Sequence, residues 1–301
     1  MEGKTIALMT TFLIIGAGIG IGAGYFVWGS DGNNGSEMEN IALSVDGVVP
    51  SAETVQDGTY TIYRDLILAT NGAPTGLAQD FIEWILSAEG QAIVSEEGFV
   101  ELTEGEYTAM SPAPSGTLNV AGSTTVQPMM VKFVEAYEAK YPGVEINVTG
   151  GGSGAGATAA INGTADIGML SRDLKSSSPS ESALTATTIA KDGVIIVVDK
   201  AAGVTDLTTN QIAKIFNGEY TNWNQVGGND LNIAPIIRED GSGTRETFDT
   251  KMVESLGITV SEFGQNMMGY SATNSTGAML ALCKSIGGSI GYVNLGSLSE
   301  L

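Results

Sequence analysis

The chain has 301 residues, 43% of them apolar, and its 34 acidic against 13 basic residues give a net charge of -21. This charge argues against a nucleic-acid partner, because such a partner requires a basic protein face. With no histidine and a single cysteine, the chain excludes a Ser-His-Asp catalytic site, an intrachain disulfide and a zinc site built on His or Cys clusters.

An uncharged apolar stretch covers residues 5–30 and follows Lys4, and the aromatic run YFVW lies near its end. Its length suits the ~20 residues that a helix needs to cross a bilayer. We interpret residues 1–30 as a membrane anchor or signal helix, and we favour an uncleaved anchor, because a signal peptide has a shorter apolar region. Lys4 on the inner side places the rest of the chain outside the cytoplasm. Residues 31–40 follow as a flexible polar linker.

Residues 41–103 contain extended stretches, of which TYTIYRDLILAT gives the clearest strand pattern. Apolar residues then recur at helical spacing and predict one amphipathic helix over roughly 78–95. Residues 104–116 are rich in Pro, Ser and Gly and are typical of a connector. A segment this small with one helix is a poor independent domain, so we expect residues 41–103 to pack on the body downstream.

Residues 117–301 alternate between strand and helix patterns. The strand candidates are TLNVAG, VEINVT, DIGML, VIIVVD, NIAPII and SIGYV. Apolar residues between Val126 and Tyr141 share one helical face, and residues 209–216 predict a short helix capped by Thr208. This alternation predicts an α/β fold with helices on both faces of largely parallel sheets.

Three loops combine glycine with hydroxyl residues where a helix is predicted to begin. They are AGSTTVQP (121–128), TGGGSGAGATAA (149–160) and REDGSGTRETF (238–248). A helix N-terminus has free backbone N–H groups and a partial positive charge, so it suits an anion. Each loop alone is more often an ordinary turn or cap, but the three together, one of them with Arg238, predict a shared anion site.

Other interpretations of these motifs are weaker. The sequence has no G-x-x-x-x-G-K-[ST] motif, which argues against a nucleotide-binding P-loop. Residues 152–157 fit G-x-G-x-x-A after a strand, but Asp173 stands only roughly where a ribose-binding acid is expected, so we disfavour dinucleotide binding. Cys283 lies in an apolar run and is interpreted as a small buried hydrophobic residue.

The chain resembles a known family over about 117–296. The motifs AGSTTVQP, GGGSGAG, ADIGMLSRDL, LTTNQIAKIFNGEYTNW, REDGSGTRETF and SIGYVNLG stand in the order found in phosphate-binding proteins of ABC-type phosphate importers. The resemblance implies a two-lobed α/β type II periplasmic-binding-protein (flytrap) fold, here preceded by the N-terminal transmembrane helix. It further implies a protein on the extracytoplasmic face of the cell membrane that captures inorganic phosphate for an ABC transporter permease. No enzymatic activity, cofactor or metal is implied.

The same resemblance implies the phosphate ligands. They are Ser123, Thr124 and Thr125, Ser153 and Gly154, Ser171 and Arg172, and Ser242, Gly243 and Thr244. Arg238 corresponds to the arginine that faces the anion, and Asp240 to the acid that holds this arginine. Ser171 departs from one branch of the family, where an aspartate accepts the proton that phosphate still carries near neutral pH. The resemblance therefore implies the fold but does not imply selectivity for phosphate over sulfate or arsenate.

Residues 43–103 resemble the C-terminal end of the same family, although here they precede its N-terminal part. We interpret the chain as circularly permuted: residues 41–103 pack on the first lobe, residues 104–116 form the new join, and residues 117–301 form the main body. A rival interpretation is that residues 41–103 complete a neighbouring molecule by domain swapping.

Alternative functions are a phosphate sensor or surface scaffold without transport, and a receptor for another tetrahedral oxyanion such as sulfate. An anion-handling hydrolase is disfavoured, because the sequence has no histidine base, metal cluster or nucleophile elbow.

Overall fold

The computed structural model describes residues 38–103 and 105–301. Its strands are β1 (Asn40–Ala42), β2 (Ser44–Val45), β3 (Tyr63–Thr70), β4 (Gly116–Gly122), β5 (Val144–Gly150), β6 (Ile167–Leu170), β7 (Thr185–Asp199), β8 (Asp206–Leu207), β9 (Ala234–Arg238), β10 (Ser271–Thr273) and β11 (Ser289–Asn294). Its α-helices are α1 (Ala52–Gln56), α2 (Gly76–Ile85), α3 (Ala88–Glu96), α4 (Gln127–Lys140), α5 (Ser153–Asn162), α6 (Pro179–Ser182), α7 (Thr209–Phe216), α8 (Gly243–Leu256) and α9 (Thr276–Cys283). Short 3-10 helices cover Lys200–Ala202, Trp223–Val226 and Leu295–Glu300.

The predicted transmembrane helix falls on residues 1–30, which lie outside the described residues. Across the ranges that the structure does describe, we find no helix with the length and apolar character needed to cross a bilayer.

The described residues form one mixed sheet of nine strands in the order β10-β9-β11-β7-β3-β6-β4-β5, with β1 paired to β7. Toward one end, β4 pairs in parallel with β5 and β6, and toward the other, β9 pairs in parallel with β10 and β11. The central pairings of β11 with β7, β7 with β3 and β3 with β6 are antiparallel. The expectation of largely parallel sheets therefore holds at the ends of the sheet and is wrong at its centre.

Strand β7 joins two lobes. Its first half, Thr185 to Gly193, pairs with β3 in lobe 1, which contains β3 to β6, and its second half, Val194 to Val198, pairs with β11 in lobe 2, which contains β9 to β11. The second half is wholly buried, whereas several residues of the first half are partly exposed. This difference explains why the sequence pattern predicted only the second half as a strand.

Each lobe has its own aromatic core. In lobe 1, Phe81 of α2 and Tyr137 of α4 pack edge to face with ring centroids 4.9 Å apart. In lobe 2, Phe248 of α8 stacks on Tyr292 of β11 with centroids 4.3 Å apart. Burying each such side chain contributes about 1.5–3 kcal/mol to stability, so each lobe has a stable core of its own.

The single helix predicted over 78–95 is two helices, α2 and α3. The chain turns at Ser87, whose Oγ donates a hydrogen bond to the carbonyl of Trp84 at 2.6 Å. Gly90 then packs directly on Ile85, where an added Cβ would lie only 2.2 Å from the Ile85 carbonyl oxygen. The helical spacing continues across the turn because both helices cover the same core.

Residues 38–103 take part in both lobes of this chain. Strand β3 lies between β7 and β6 in the central sheet. Tyr60 and Ile62 belong to the core of lobe 2, whereas Leu66 and Leu68 belong to the core of lobe 1. This segment therefore crosses between the lobes beside β7 and forms a second connection between them.

The segment that follows α3 is anchored by Asp80, which is only 3% exposed. The Asp80 carboxylate accepts hydrogen bonds from the Tyr107 hydroxyl at 2.9 Å, the backbone N–H of Met110 at 2.8 Å and the Tyr137 hydroxyl. Burial, together with the nearby Asp80 carboxylate, raises the pKa of Tyr107 and of Tyr137 above their ordinary value. Both phenols therefore remain protonated donors that fix this segment to α2.

Asp80→Ala is expected to lower the free energy of unfolding by about 2–4 kcal/mol, because buried donors lose a charged acceptor. Urea unfolding followed by circular dichroism measures the loss. The matched control is Glu83→Ala on the same helix, where the exposed side chain accepts a bond from Gln79. That control should change stability by less than about 0.5 kcal/mol. Equal losses in the two variants would contradict an anchoring role for Asp80.

Candidate anion-binding site

The predicted loops of lobe 1 meet at the ends of its strands. Ser123 follows β4, and its Oγ accepts hydrogen bonds from the backbone N–H groups of Thr125 and Val126 at 3.2 and 3.3 Å. Ser153 begins α5, and its Oγ accepts a bond from the backbone N–H of Ser171 at 3.0 Å and lies 3.2 Å from the Ser171 Oγ. The two loops therefore present buried hydroxyl groups at helix N-termini, as the sequence predicted.

Lobe 2 contributes a second set of helix N-termini. Ser242 caps α8 and accepts a bond from the Arg245 N–H at 3.3 Å. Thr244, in the first turn of α8, places its Oγ1 3.2 Å from Thr125 Oγ1 of lobe 1. Thr276, at the start of α9, places its Oγ1 3.4 Å from the same Thr125 oxygen. Hydroxyl groups from the N-termini of α8 and α9 thus converge on Thr125, which precedes α4. We call Thr124, Thr125, Thr244 and Thr276 the hydroxyl cluster.

Arg238 ends β9 with its guanidinium in this cluster, and the residue is only 2% exposed. Its Nη1 donates to Thr276 Oγ1 at 3.3 Å, and its Nη2 donates to Thr124 Oγ1 at 3.1 Å. The structure therefore brings Arg238 together with hydroxyl groups of both lobes. A buried cation with hydroxyl donors and helix N-termini around it is an arrangement that binds an oxyanion.

The lobes are closed on each other at this site. The backbone N–H of Gly154 in lobe 1 donates to the carbonyl of Gly241 in lobe 2 at 3.0 Å. A Cβ placed on Gly243 would lie 2.4 Å from Ser153 Oγ and 2.6 Å from Ser171 Oγ. The start of α8 therefore fits against Ser153 and Ser171 only because residue 243 has no side chain.

The prediction that Asp240 holds Arg238 is wrong. Glu239 does so instead, accepting from Nε at 2.8 Å and from Nη2 at 2.9 Å in a bidentate ion pair. The Asp240 side chain is 98% exposed and pairs with Arg245 at 2.7 Å. The physical reason is the tight turn through Gly241, at φ +84°, which leaves Asp240 in solvent while Glu239 folds back on its neighbour.

Arg172 is bound by acids rather than by hydroxyl groups. Its Nη1 pairs with Glu181, and its Nε lies 2.9 Å from Glu246 of α8, an ion pair without good hydrogen-bond alignment. Its Nη1 also donates to the carbonyl of Asp173 at 2.7 Å. Arg172 therefore links lobe 1 to α8 beside Ser171, and its described contacts do not reach the hydroxyl cluster.

Sequence reasoning missed three members of the site: Thr276, Glu239 and Arg64. Thr276 lies in STGAML, which combines glycine with hydroxyl residues at a helix start as the three predicted loops do, so the same pattern also indicates Thr276. Arg64 donates to Thr125 Oγ1 at 3.4 Å from β3. Its only signal in the sequence is a charge inside a strongly apolar strand.

The site offers several hydrogen-bond donors to an oxyanion. Burial raises the pKa of the Cys283 thiol to about 12, so it stays protonated near neutral pH. Within residues 38–103 and 105–301, no group of three or more Cys, Asp or Glu side chains is placed to hold a metal ion. The arrangement can bind and orient an oxyanion by charge-assisted and neutral hydrogen bonds.

The buried carboxyl group of Asp249 on α8 should make the stability of the protein depend on pH. Burial raises the pKa of this carboxyl to about 6, although Arg245 opposes the shift. Between about pH 4 and 6 the unfolded chain loses a proton that the folded chain keeps, so stability should fall as pH rises through this window. In wild type, the free energy of unfolding should fall by about 1–3 kcal/mol through this window, and we expect Asp249→Asn to abolish that fall. Urea unfolding at pH 4 and pH 7 measures both. The same fall in variant and wild type would exclude Asp249 as its source.

The chain is similar in sequence and fold to known proteins. Residues 108–300 match the family model of the PBP superfamily domain. The chain is 39% identical over 186 residues to the phosphate-binding protein PstS 2 of Streptococcus pneumoniae, covering 62% of this chain and 63% of that protein. It is 33% identical over 165 residues to the phosphate-binding protein PstS of Bacillus subtilis, covering 54% and 53%. The chain thus spans less than two thirds of the length of these relatives.

Two crystal structures are also similar. A phosphate-binding protein of a phosphate ABC transporter from Streptococcus pneumoniae is 38% identical with a TM-score of 0.55, over 62% of this chain and 72% of that one. A putative phosphate ABC transporter substrate-binding protein with bound phosphate from Clostridium perfringens is 37% identical with a TM-score of 0.54, over 60% and 70%. Because the family match alone covers more than half of its residues, the chain belongs to the PBP superfamily.

Proposed function

We propose that the chain is an extracytoplasmic substrate-binding protein that captures inorganic phosphate between its lobes and delivers it to an ABC importer. One observation carries the proposal: Arg238 is buried between the lobes and donates to hydroxyl groups from both of them. The relatives named as phosphate-binding proteins support phosphate as the anion.

The proposed ligands act mainly as neutral donors. They are Ser123, Thr124, Thr125, Ser153, Gly154, Ser171, Ser242, Gly243 and Thr244, with Arg238 as the cation. Glu239 offsets the charge of Arg238, so the anion is held largely by hydroxyl groups and by helix N-termini. Arg172 and Asp240 support the cleft through their ion pairs. The donors come from both lobes, so lobe opening admits phosphate and closure completes its shell.

Isothermal titration calorimetry of Glu37–Leu301, the compact unit of the chain, tests the proposal directly. Phosphate should release binding heat with one site per chain. No heat with phosphate, from folded protein, would refute the proposed function.

A receptor for sulfate is the second candidate, and Ser171 favours it. Ser171 offers a hydroxyl beside Ser153, and the Glu239 carboxylate near the cluster is already paired with Arg238. A site without a free carboxylate does not penalise a fully ionised oxyanion as strongly. The same calorimetry with sulfate and arsenate ranks the three anions, and tighter binding of sulfate would replace phosphate as the ligand.

We also propose that the chain is circularly permuted and closed within one molecule. The backbone N–H of Met38 donates to the Lys284 carbonyl at 2.9 Å, and the Lys284 ammonium donates to the Glu300 carbonyl at 2.6 Å. Both ends of the described body thus meet at one residue. A rejoined chain, with residue 301 linked to residue 38 and new ends at 104–116, should remain monomeric and bind phosphate as the parent does. If the parent elutes as a dimer in size-exclusion chromatography, domain swapping would be supported instead.

We propose, finally, that residues 1–30 anchor the protein on the extracytoplasmic face of the membrane. The support is the long uncharged stretch that follows Lys4. Membrane fractionation with N-terminal sequencing should find the intact N-terminus in the membrane fraction. A shortened N-terminus on released protein would identify a cleaved signal peptide.

A further inference from the structure

Arg64 is a buried cation that the three predicted loops do not include. It lies on β3, where the chain passes between the lobes, and is 6% exposed. Its Nε and Nη2 donate to Asp192 Oδ2 at 2.9 and 2.6 Å. Its Nη1 is buried and has no hydrogen-bond partner in the part of the chain that the structure describes. The Asp192 carboxylate therefore fixes the Nε and Nη2 edge of the guanidinium, and Nη1 is left able to donate to a bound molecule.

Arg64 reaches the same cluster as Arg238 through a different hydroxyl group. Its Nη2 lies 3.4 Å from Thr125 Oγ1, and Arg238 Nη1 lies 3.3 Å from Thr276 Oγ1. These two threonine oxygens are 3.4 Å apart. Burial lowers the pKa of Arg64, the Asp192 carboxylate opposes that effect, and repulsion from Arg238 adds to it. The two guanidinium groups are thus close enough to repel each other across the hydroxyl cluster.

A buried donor without an acceptor destabilises a protein, and so do two cations close together in a region of low dielectric constant. An oxyanion in the hydroxyl cluster would relieve both effects at once. We propose that Arg64 is a second anion-contacting arginine, whose Nη1 donates to an oxygen of the bound phosphate. This inference rests on the proposed function and extends its site.

Asp192 is the positioning residue for Arg64. It is fully buried on β7, and its second oxygen, Oδ1, accepts from the backbone N–H of Leu295 at 2.9 Å. The carboxylate thus fixes the guanidinium to a strand that belongs to both lobes. Arg64 lies outside residues 108–300, the range that the family comparison matches. The anion site then depends on the segment that precedes the main body.

The first test is Arg64→Lys in the full-length protein, titrated with inorganic phosphate in a calorimeter. Lysine keeps a positive charge beside Asp192 but lacks the second arm of the guanidinium. We expect the phosphate Kd to rise at least tenfold, and phosphate to raise the Tm of the variant less than that of wild type. The control is Lys191→Met on β7, the neighbour of Asp192, with an expected change in Kd of less than twofold.

These titrations distinguish failure of the proposed role of Arg64 from failure of the proposed phosphate binding. If wild type binds phosphate and Arg64→Lys binds it equally well, Arg64 is only a structural ion-pair residue and this inference fails alone. If wild type does not bind phosphate, the proposed function itself fails.

A crystal structure of wild type with phosphate decides the matter even if the variant does not fold. Arg64 Nη1 should lie within about 3.2 Å of a phosphate oxygen. A separation beyond about 4 Å would overturn the inference.

Discussion

Arg238→Ala is expected to raise the phosphate Kd by well over tenfold. The side chain is buried and donates to Thr124 and Thr276, one from each lobe, so its removal takes away both the positive charge and the link between the lobes. A hydrogen bond to a charged group contributes about 1.5–3 kcal/mol, and 1.4 kcal/mol already corresponds to a factor of ten in Kd. Glu239 would also lose its partner and repel the incoming anion.

Calorimetric titration of wild type and variant with phosphate measures this change. Lys200→Ala is the control, because Lys200 is an exposed cation of lobe 2 that pairs with Glu39. An unchanged Kd for Arg238→Ala would remove Arg238 from the site. A second pair of variants tests the ion pair between Glu239 and Arg238: Glu239→Ala should weaken binding more than Asp240→Ala, because Glu239 pairs with the Arg238 guanidinium whereas Asp240 pairs with Arg245.

The elements that the sequence predicted are those whose structure is determined by residues close together in the chain. The short helix α7 is capped by Thr208, as predicted from the sequence, and Gln211 completes a capping box. The apolar residues of α4 recur at helical spacing because they lie on one helical face, which is buried in the core of lobe 1. The first half of β7 was missed because several of its residues are partly exposed, so the apolar pattern stops there although the strand continues through its pairing with β3.

The same distinction applies to the site. The loops around Ser123, Ser153 and Ser242 were predicted because glycine and hydroxyl residues at a strand-to-helix junction act locally. The choice between Glu239 and Asp240 depends on the turn through Gly241, which the residue types alone do not fix. Arg64 reaches Thr125 only through the tertiary pairing of β3. Such convergence cannot be derived from spacing along one chain.

Gly243→Ala is expected to impair phosphate binding without harming the fold. Gly243 begins α8 in lobe 2, and an added methyl group would lie 2.4 Å from Ser153 Oγ and 2.6 Å from Ser171 Oγ of lobe 1. The clash is between the two lobes, so it should oppose their closure. Overpacking of this kind costs about 1–3 kcal/mol, which corresponds to a rise in Kd of about 5- to 150-fold. Alanine favours helix more than glycine does, so the ligand-free Tm should stay equal or rise.

Gly277→Ala is the matched control, because Gly277 lies in the first turn of α9 and an added Cβ meets no atom within 4 Å. Its Kd should stay within twofold of wild type. Small-angle X-ray scattering adds a second measurement: phosphate should compact wild type and Gly277→Ala, but compact Gly243→Ala less. If Gly243→Ala binds and compacts like wild type, then Ser153 and Ser171 do not approach α8 in the bound state. The anion would then be held by one lobe, contrary to the proposed closure of both lobes on it.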